Sequence, residues 1–164
     1  MKEAWNVAGV DEAQLVALAA KLAPGSRLEG GVIHLAGELG AGKTTFARAL
    51  LLALGVGVRV KSPTYSLIES YDVLDLDIHH LDLYRIADAG ELEWLGLPDL
   101  WRVRSLILIE WPERGGNLLP PPDLAIELAH RGVGRDLSVR AFGERGRKWL
   151  QDWLATSGHS TLAL

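Results

Sequence analysis

Val32-Ile33-His34-Leu35-Ala36-Gly37-Glu38-Leu39-Gly40-Ala41-Gly42-Lys43-Thr44-Thr45-Phe46 is the stretch whose reading decides the fold. An apolar run enters it, residues 37–44 fit Gly, any four residues, Gly, Lys, then Ser or Thr, and an apolar-periodic segment, residues 46–54, leaves it. Strand, glycine-rich loop and helix in that order are the context a phosphate-binding loop requires. Glycines let successive backbone N–H groups turn inward around phosphate oxygens, and the positive end of the next helix faces the same anion. Gly37, Glu38, Leu39, Gly40, Ala41, Gly42 and Thr45 then form the cradle, Lys43 reaches the β- and γ-phosphates, and the Thr44 hydroxyl binds Mg²⁺.

Composition sets outer limits on this reading. A chain of 164 residues is about one domain with a real core, so one phosphate-loop domain over residues 1–164 is expected, frayed from about 156 onward. With 48% hydrophobic and 23% charged residues the chain is ordinarily globular, and no apolar run approaches the roughly 18 residues that span a bilayer. The first residues carry an acid early and no signal-like apolar core, which points to the cytoplasm. The absence of cysteine excludes disulfides and thiolate metal sites and leaves an oxygen-ligated ion such as Mg²⁺ as the metal to expect. A formal charge of −4 argues against a protein whose main task is gripping a nucleic-acid backbone. The charge is uneven: residues 131–148 carry a local +4, either a solvated face or a binding patch.

Outward from the loop, Asp11 and Gln14 form a capping-box pattern before Leu15, Leu18, Ala19 and Leu22, which predicts a helix over residues 11–23 stopped by Pro24-Gly25. Gly55 is placed to end the helix that follows the loop. Ser62-Pro63-Thr64 is a bend, either a plain turn or a hydroxyl-bearing segment that senses a γ-phosphate. Residues 65–71 are β-prone, residues 72–77 read as a three-acid turn, and residues 78–85 read as a strand emerging into a loop. Period two puts His80, Asp82 and Tyr84 on one face, where His80 and Asp82 either bind Mg²⁺, orient a water or bond each other. Residues 89–95 suggest a short helix closed by Gly96-Leu97-Pro98. Ser105-Leu106-Ile107-Leu108-Ile109 has the marks of a strand buried on both faces, and Glu110 at its end holds the position of the acid that completes a Mg²⁺ shell. Residues 117–122 make a rigid linker, residues 123–129 and 136–142 a β-hairpin, and Trp149, Leu150, Trp153 and Leu154 the apolar stripe of a final helix.

These motifs, taken in order, resemble the bacterial ATPase family of tRNA threonylcarbamoyladenosine biosynthesis called TsaE. The loop itself is shared by many NTPases. More specific are Lys61-Ser62-Pro63-Thr64-Tyr65, His80-Leu81-Asp82-Leu83-Tyr84-Arg85 and Ile109-Glu110-Trp111-Pro112-Glu113, so that the resemblance covers residues 32–120. It implies an α/β P-loop NTPase fold, a largely parallel sheet flanked by helices, with a C-terminal hairpin and final helix. It also implies a slow ATPase that uses ATP and Mg²⁺ and acts with the TsaB and TsaD subunits, with tRNA contact indirect or weak. Carried over, Thr44 and Glu110 match Mg²⁺ ligands, Asp82 an acid needed for hydrolysis, Ser62 and Thr64 a switch-like segment, Trp111 a functional aromatic, and Arg135 a Gly-x-Arg element near the nucleotide. His80, Tyr84 and Arg85 belong to a family motif without an assigned role. The chain departs from the family in having Glu38 for the usual Asp and in lacking a Thr-x-x-Leu-Gly pattern in the first helix.

The expected chemistry is attack of water on the γ-phosphate, with Lys43 and Mg²⁺ neutralising charge and Asp82 or Glu110 orienting the water. Arg85 or a partner's arginine would complete the charge. A small-molecule kinase is the alternative, but residues 84–101 hold one short acidic helix rather than an arginine-bearing lid. A GTP-operated switch would need Asn-Lys-x-Asp after a buried strand, and Asn6 and Asn117 are the only asparagines.

Overall fold

The computed structural model describes residues 3–27, 30–57, 60, 67–101 and 104–158. Among them seven strands form one mixed sheet: β1 Ala4–Val10, β2 Gly31–Gly37, β3 Ile68–Val73, β4 Leu76–Asp82, β5 Ser105–Glu110, β6 Leu124–Arg131 and β7 Gly134–Ala141. Their order across the sheet is β1-β7-β6-β2-β5-β4-β3. The four central strands β6, β2, β5 and β4 run parallel, as a phosphate-loop fold requires. The outer strands β1, β7 and β3 are antiparallel to their neighbours, so the parallel character expected of the sheet belongs to its middle.

Alternation along β5 explains the layers. Leu106 and Leu108 join the larger core, beneath α1 (Glu12–Arg27), α2 (Lys43–Leu54) and, further on in the chain, α4 (Gly143–Thr156). Ile107 and Ile109 point the other way, into a smaller core closed by Leu92, Leu97 and Leu119. All six residues of the strand are buried, and the next step of the alternation turns the buried Glu110 carboxylate toward the helices. Among the described residues no helix is long and apolar enough to cross a membrane.

Several local expectations hold. Asp11 and Gln14 exchange reciprocal bonds, Gln14 N–H to Asp11 Oδ1 at 2.7 Å and Asp11 N–H to Gln14 Oε1 at 2.9 Å. Gly55 ends α2 in the left-handed region at φ 106°. Trp153 of α4 packs edge-on against Trp5 of β1 at 5.2 Å and Phe46 of α2 at 6.1 Å, which ties both ends of the chain to the helix that follows the loop.

Others are corrected. Pro24 does not stop α1, which runs to Arg27 with the proline inside it. An interior proline disfavours a helix by about 3 kcal/mol. Here Leu22, Ala23 and Ser26 are buried, Trp153 Nε1 donates to the Leu18 carbonyl at 2.8 Å, and Thr156 Oγ1 donates to the Lys21 carbonyl at 3.3 Å, so tertiary contacts hold the last turns. Strand β1 has no forecast in the sequence, because a register shift between Val7 and Val10 breaks its alternation. The acidic turn narrows to Leu74-Asp75, both at positive φ, and Asp72 and Asp77 face each other across the β3–β4 hairpin. The loop of the β6–β7 hairpin likewise narrows to Gly132-Val133. Residues 89–95 form a 3₁₀ helix, and after Gly96 a one-turn helix, α3 (Leu97–Leu100), begins instead of a closure. Ser62 and Thr64 lie outside the described residues.

His34, in the middle of β2, is partly buried, and Nε2–H donates to the Pro120 carbonyl at 3.1 Å, tying the proline-rich linker to the central strand. Burial lowers its pKa below the ordinary 6.5, against the pull of that carbonyl. The folded state therefore binds the proton less readily than the unfolded chain, and His34 withdraws stability as pH falls below 6.5. Thermal melts from pH 7.5 to 5 are expected to show a decline that His34→Gln, which retains a donor but does not titrate, makes shallower.

Candidate functional site

The loop between β2 and α2 lies at the carboxyl end of the parallel strands, where open α/β sheets bind ligands. Two glycines are required there by contact. A Cβ on Gly37, at φ 145°, would run into the Leu128 carbonyl of β6, and one on Gly42, at φ 112°, would meet Leu15 at 2.9 Å and the Arg135 guanidinium at 3.4 Å. Glu38, Leu39, Gly40 and Ala41 span the loop, with the Ala41 N–H closing a turn onto the Glu38 carbonyl at 3.1 Å. Behind it, His130 Nε2–H donates to the Leu39 carbonyl at 3.1 Å.

Lys43 opens α2 and is 4% exposed. Its Nζ donates to the carbonyls of Gly37 at 2.6 Å and Glu38 at 2.8 Å and lies 4.2 Å from the centre of the Trp111 ring. Burial lowers its pKa below the usual lysine value, and the charges of Glu110, Glu113 and Asp82 work against that shift. Thr44 Oγ1 donates to Glu110 Oε1 at 2.8 Å, and His80 Nε2 bonds Glu110 Oε2 at 2.6 Å. Parallel pairing brings these groups together: Asp82 of β4 is level with Glu110 of β5, and His80 with Leu108. His80 and Glu110 are therefore diagonal neighbours on the face covered by α2.

Asp82 does not bond His80. Its Oδ1 accepts the Tyr84 N–H at 3.0 Å. Burial raises the Asp82 pKa above 3.8, helped by Glu110 and opposed by the Tyr84 bond and by the charges of His80 and Lys43. Trp111 is strained, with φ 58° and ψ 50°, a region a bulky residue rarely occupies; its N–H donates to the Leu35 carbonyl at 3.2 Å, and its ring is turned toward Lys43 and Tyr84, the latter at 4.9 Å.

Lys43, Thr44, Thr45, Asp82, Tyr84, Arg85, Glu110 and Trp111 line one cleft of about 290 Å³ with the loop glycines. Thr44 and Thr45 also line a second, of about 260 Å³, between α1 and α2, walled by Glu12, Val16, Arg48 and Leu52. The two clefts share Thr44 and Thr45 as a common border. Arg135, a residue remote in sequence, reaches the loop from β7. Two participants, Arg114 and His130, were missed from sequence, and Glu113 stood there only within the Ile109–Glu113 motif, without a role of its own. Arg114 lies 5.5 Å from the Tyr84 ring and 5.7 Å from the Trp111 ring, Glu113 contributes charge at Lys43, and His130 backs the loop. Arg114 directly follows the Trp111-Pro112-Glu113 motif and its position was a signal, whereas His130 had no local one. In the basic 131–148 segment, Arg131 pairs with Asp136 at 2.9 Å, Arg145 with Asp123 at 3.7 Å and Arg147 with Glu3 at 3.4 Å, so local acids offset part of its charge.

The donor set suits a hard divalent ion. A hydroxyl and a carboxylate oxygen converge on the cleft, and no group of three or more His, Cys, Asp or Glu among the described residues would build an all-protein cage. Mg²⁺ is held in this way, by one or two protein oxygens with phosphates and waters filling the other positions.

Comparison with known proteins gives a consistent picture. A family model described as "Threonylcarbamoyl adenosine biosynthesis protein TsaE" matches residues 10–137. The chain is 40% identical over 116 residues to the tRNA threonylcarbamoyladenosine biosynthesis protein TsaE of Haemophilus influenzae, covering 71% of this chain and 73% of that one. To the protein of the same name from Bacillus subtilis it is 34% identical over 142 residues, covering 86% and 87%. Its structure is similar to the crystal structure of Bacillus subtilis YdiB, with TM-score 0.76 and 25% identity over 96% of this chain and 98% of that one. The fold is that of a P-loop NTPase.

Proposed function

Because the chain belongs to the TsaE family of threonylcarbamoyl adenosine biosynthesis proteins, we propose that it is a Mg²⁺-dependent ATPase serving tRNA threonylcarbamoyladenosine formation in the cytoplasm, in nucleotide-controlled partnership with TsaB and TsaD. The observation that carries the reading is the convergence of Lys43, Thr44 and Glu110 at the mouth of the parallel strands, with Asp82 beside them.

Each residue has a definite task. The loop N–H groups and Lys43 hold the phosphates, and Lys43 exchanges the Gly37 and Glu38 carbonyls for the β- and γ-phosphate oxygens. Thr44 and Glu110 hold Mg²⁺, which when bound neutralises charge on those oxygens. Asp82, its proton affinity raised by burial, orients the attacking water and accepts its proton. Trp111 and Tyr84 restrict water at the γ-phosphate end, and Arg85, in the same cleft, is placed to meet charge that develops there. Arg135 steadies the loop from behind at Gly42. The nucleoside end of ATP occupies the trough between α1 and α2. Ser62 and Thr64 sense the γ-phosphate as a switch, so that nucleotide state sets docking on TsaB and TsaD.

Affinity capture of the tagged protein from its native cytosol, with and without ATP, tests this directly. TsaB and TsaD are expected in one nucleotide state and depleted in the other. Their absence from both states, or phosphate transfer to a small acceptor in place of release to water, overturns the proposal.

A further inference from the structure

The Glu110 carboxylate is 1% exposed, and both of its oxygens are taken by side chains. Oε1 accepts from Thr44 at the cleft, and Oε2 lies 2.6 Å from Nε2 of His80, which is not among the residues lining that cleft. His80 is itself 1% exposed, and its Nδ1 has no hydrogen-bond partner among the described residues. Nε2 faces a carboxylate oxygen, which accepts, so Nε2 carries the hydrogen and donates to Glu110. The Lys43 ammonium is close enough to act on Glu110 by its charge, so a carboxylate released from His80 has a competing partner inside the cleft.

We propose that His80 is a positioning residue for the divalent cation: its Nε2–H fixes one oxygen of Glu110 so that the other stays beside Thr44, preforming the oxygen pair that receives the ion. This rests on the reading of Thr44 and Glu110 as the cation's protein ligands and adds a residue that touches neither ion nor nucleotide. An outer partner that orients a ligand carboxylate typically changes metal affinity by about 10- to 100-fold when it is removed.

The experiment measures binding, not turnover. Mn²⁺, visible by electron paramagnetic resonance, replaces Mg²⁺, and its affinity for the protein–ADP complex is compared across variants, with fluorescent-ADP affinity in EDTA as the metal-free reference. His80→Leu is expected to weaken Mn²⁺ binding about 10- to 100-fold while metal-free ADP binding changes less than about twofold. In His80→Gln the side-chain nitrogen stands as many bonds from Cβ as imidazole Nε2 and still donates, so Mn²⁺ affinity is expected within about threefold of the wild type. His80→Asn, one bond shorter, is expected to behave as His80→Leu, and it replaces that variant if the leucine protein does not fold. The inference is overturned if the variants that lack a donor or cannot reach Glu110 with one bind Mn²⁺ like the wild type, or if His80→Gln loses as much as they do. Wild-type protein that binds ADP without binding Mn²⁺ at all would sink the Thr44–Glu110 ligand reading, an outcome distinct from either of these.

Discussion

Lys43→Ala is expected to lower ATP hydrolysis by about 10²- to 10³-fold, the usual scale for removing one preorganised charge or donor from a developing oxyanion. Steady-state phosphate release at saturating Mg²⁺ and ATP measures it. The size of the effect follows from what surrounds the ammonium. Glu110, Glu113 and Asp82 all bear on Lys43 by charge, and without it a triphosphate would enter a cleft whose fixed charges are mainly negative. Two opposing influences act on the lysine, burial lowering its pKa and the three acids raising it, and burial is the larger. Phosphate oxygens reinforce the acids, so nucleotide binding strengthens the charge that catalysis uses. The resting contacts with the Gly37 and Glu38 carbonyls are neutral and are readily exchanged for phosphate. Activity within tenfold of the wild type would shift the catalytic charge to Arg85, which lines the same cleft, or to Arg114, beside the Tyr84 and Trp111 rings.

The parts of this site that were legible in the sequence are those written in short range. The phosphate loop is a contiguous pattern, and the buried run of residues 105–109 announces a central strand, which puts Glu110 at its end. The same-face placement of His80 and Asp82 follows from period two and holds. What was not legible depends on register between strands. That His80 bonds Glu110 instead of Asp82 follows only once β4 and β5 are paired with Asp82 level with Glu110. Arg135 and His130 reach the loop because β6 lies beside β2 and β7 beside β6, an order no local window contains. Strand β1 was hidden by its own irregularity, and the extension of α1 past Pro24 by contacts from α4 that outweigh a local propensity. The two misses differ in cause: β1 offered no regular local signal, whereas in α1 the local signal of Pro24 was overruled by packing against residues more than a hundred positions away.

Asp82→Asn is expected to reduce hydrolysis by about 10²- to 10⁴-fold, the range for loss of a positioned acid–base group, and to raise the melting temperature of the nucleotide-free protein at neutral pH. The two effects have one origin. Asp82 is 7% exposed, and burial raises its pKa above 3.8, more than the Tyr84 N–H and the neighbouring positive charge lower it. The folded state therefore holds the proton more tightly than the unfolded chain, so stability from this group is fully present below pH 3.8 and is lost as pH rises through the elevated folded pKa. At neutral pH the ionised carboxylate stands in a place that disfavours its charge, with Glu110 adding repulsion. Asparagine keeps the shape and an oxygen for the Tyr84 N–H at 3.0 Å but removes the charge. Melts across pH 4 to 8 should thus show the variant above the wild type at pH 7, with the gap closing toward pH 4, while phosphate release collapses. The same elevated pKa moves the acid limb of kcat/KM in the wild type upward from 3.8, because only the ionised form accepts the proton of water. A variant that loses activity without gaining stability at pH 7 would mean that Asp82 is stabilised as an anion in the folded protein. In that case ligation or a fixed cation, rather than proton transfer to a strained base, would account for its part in hydrolysis.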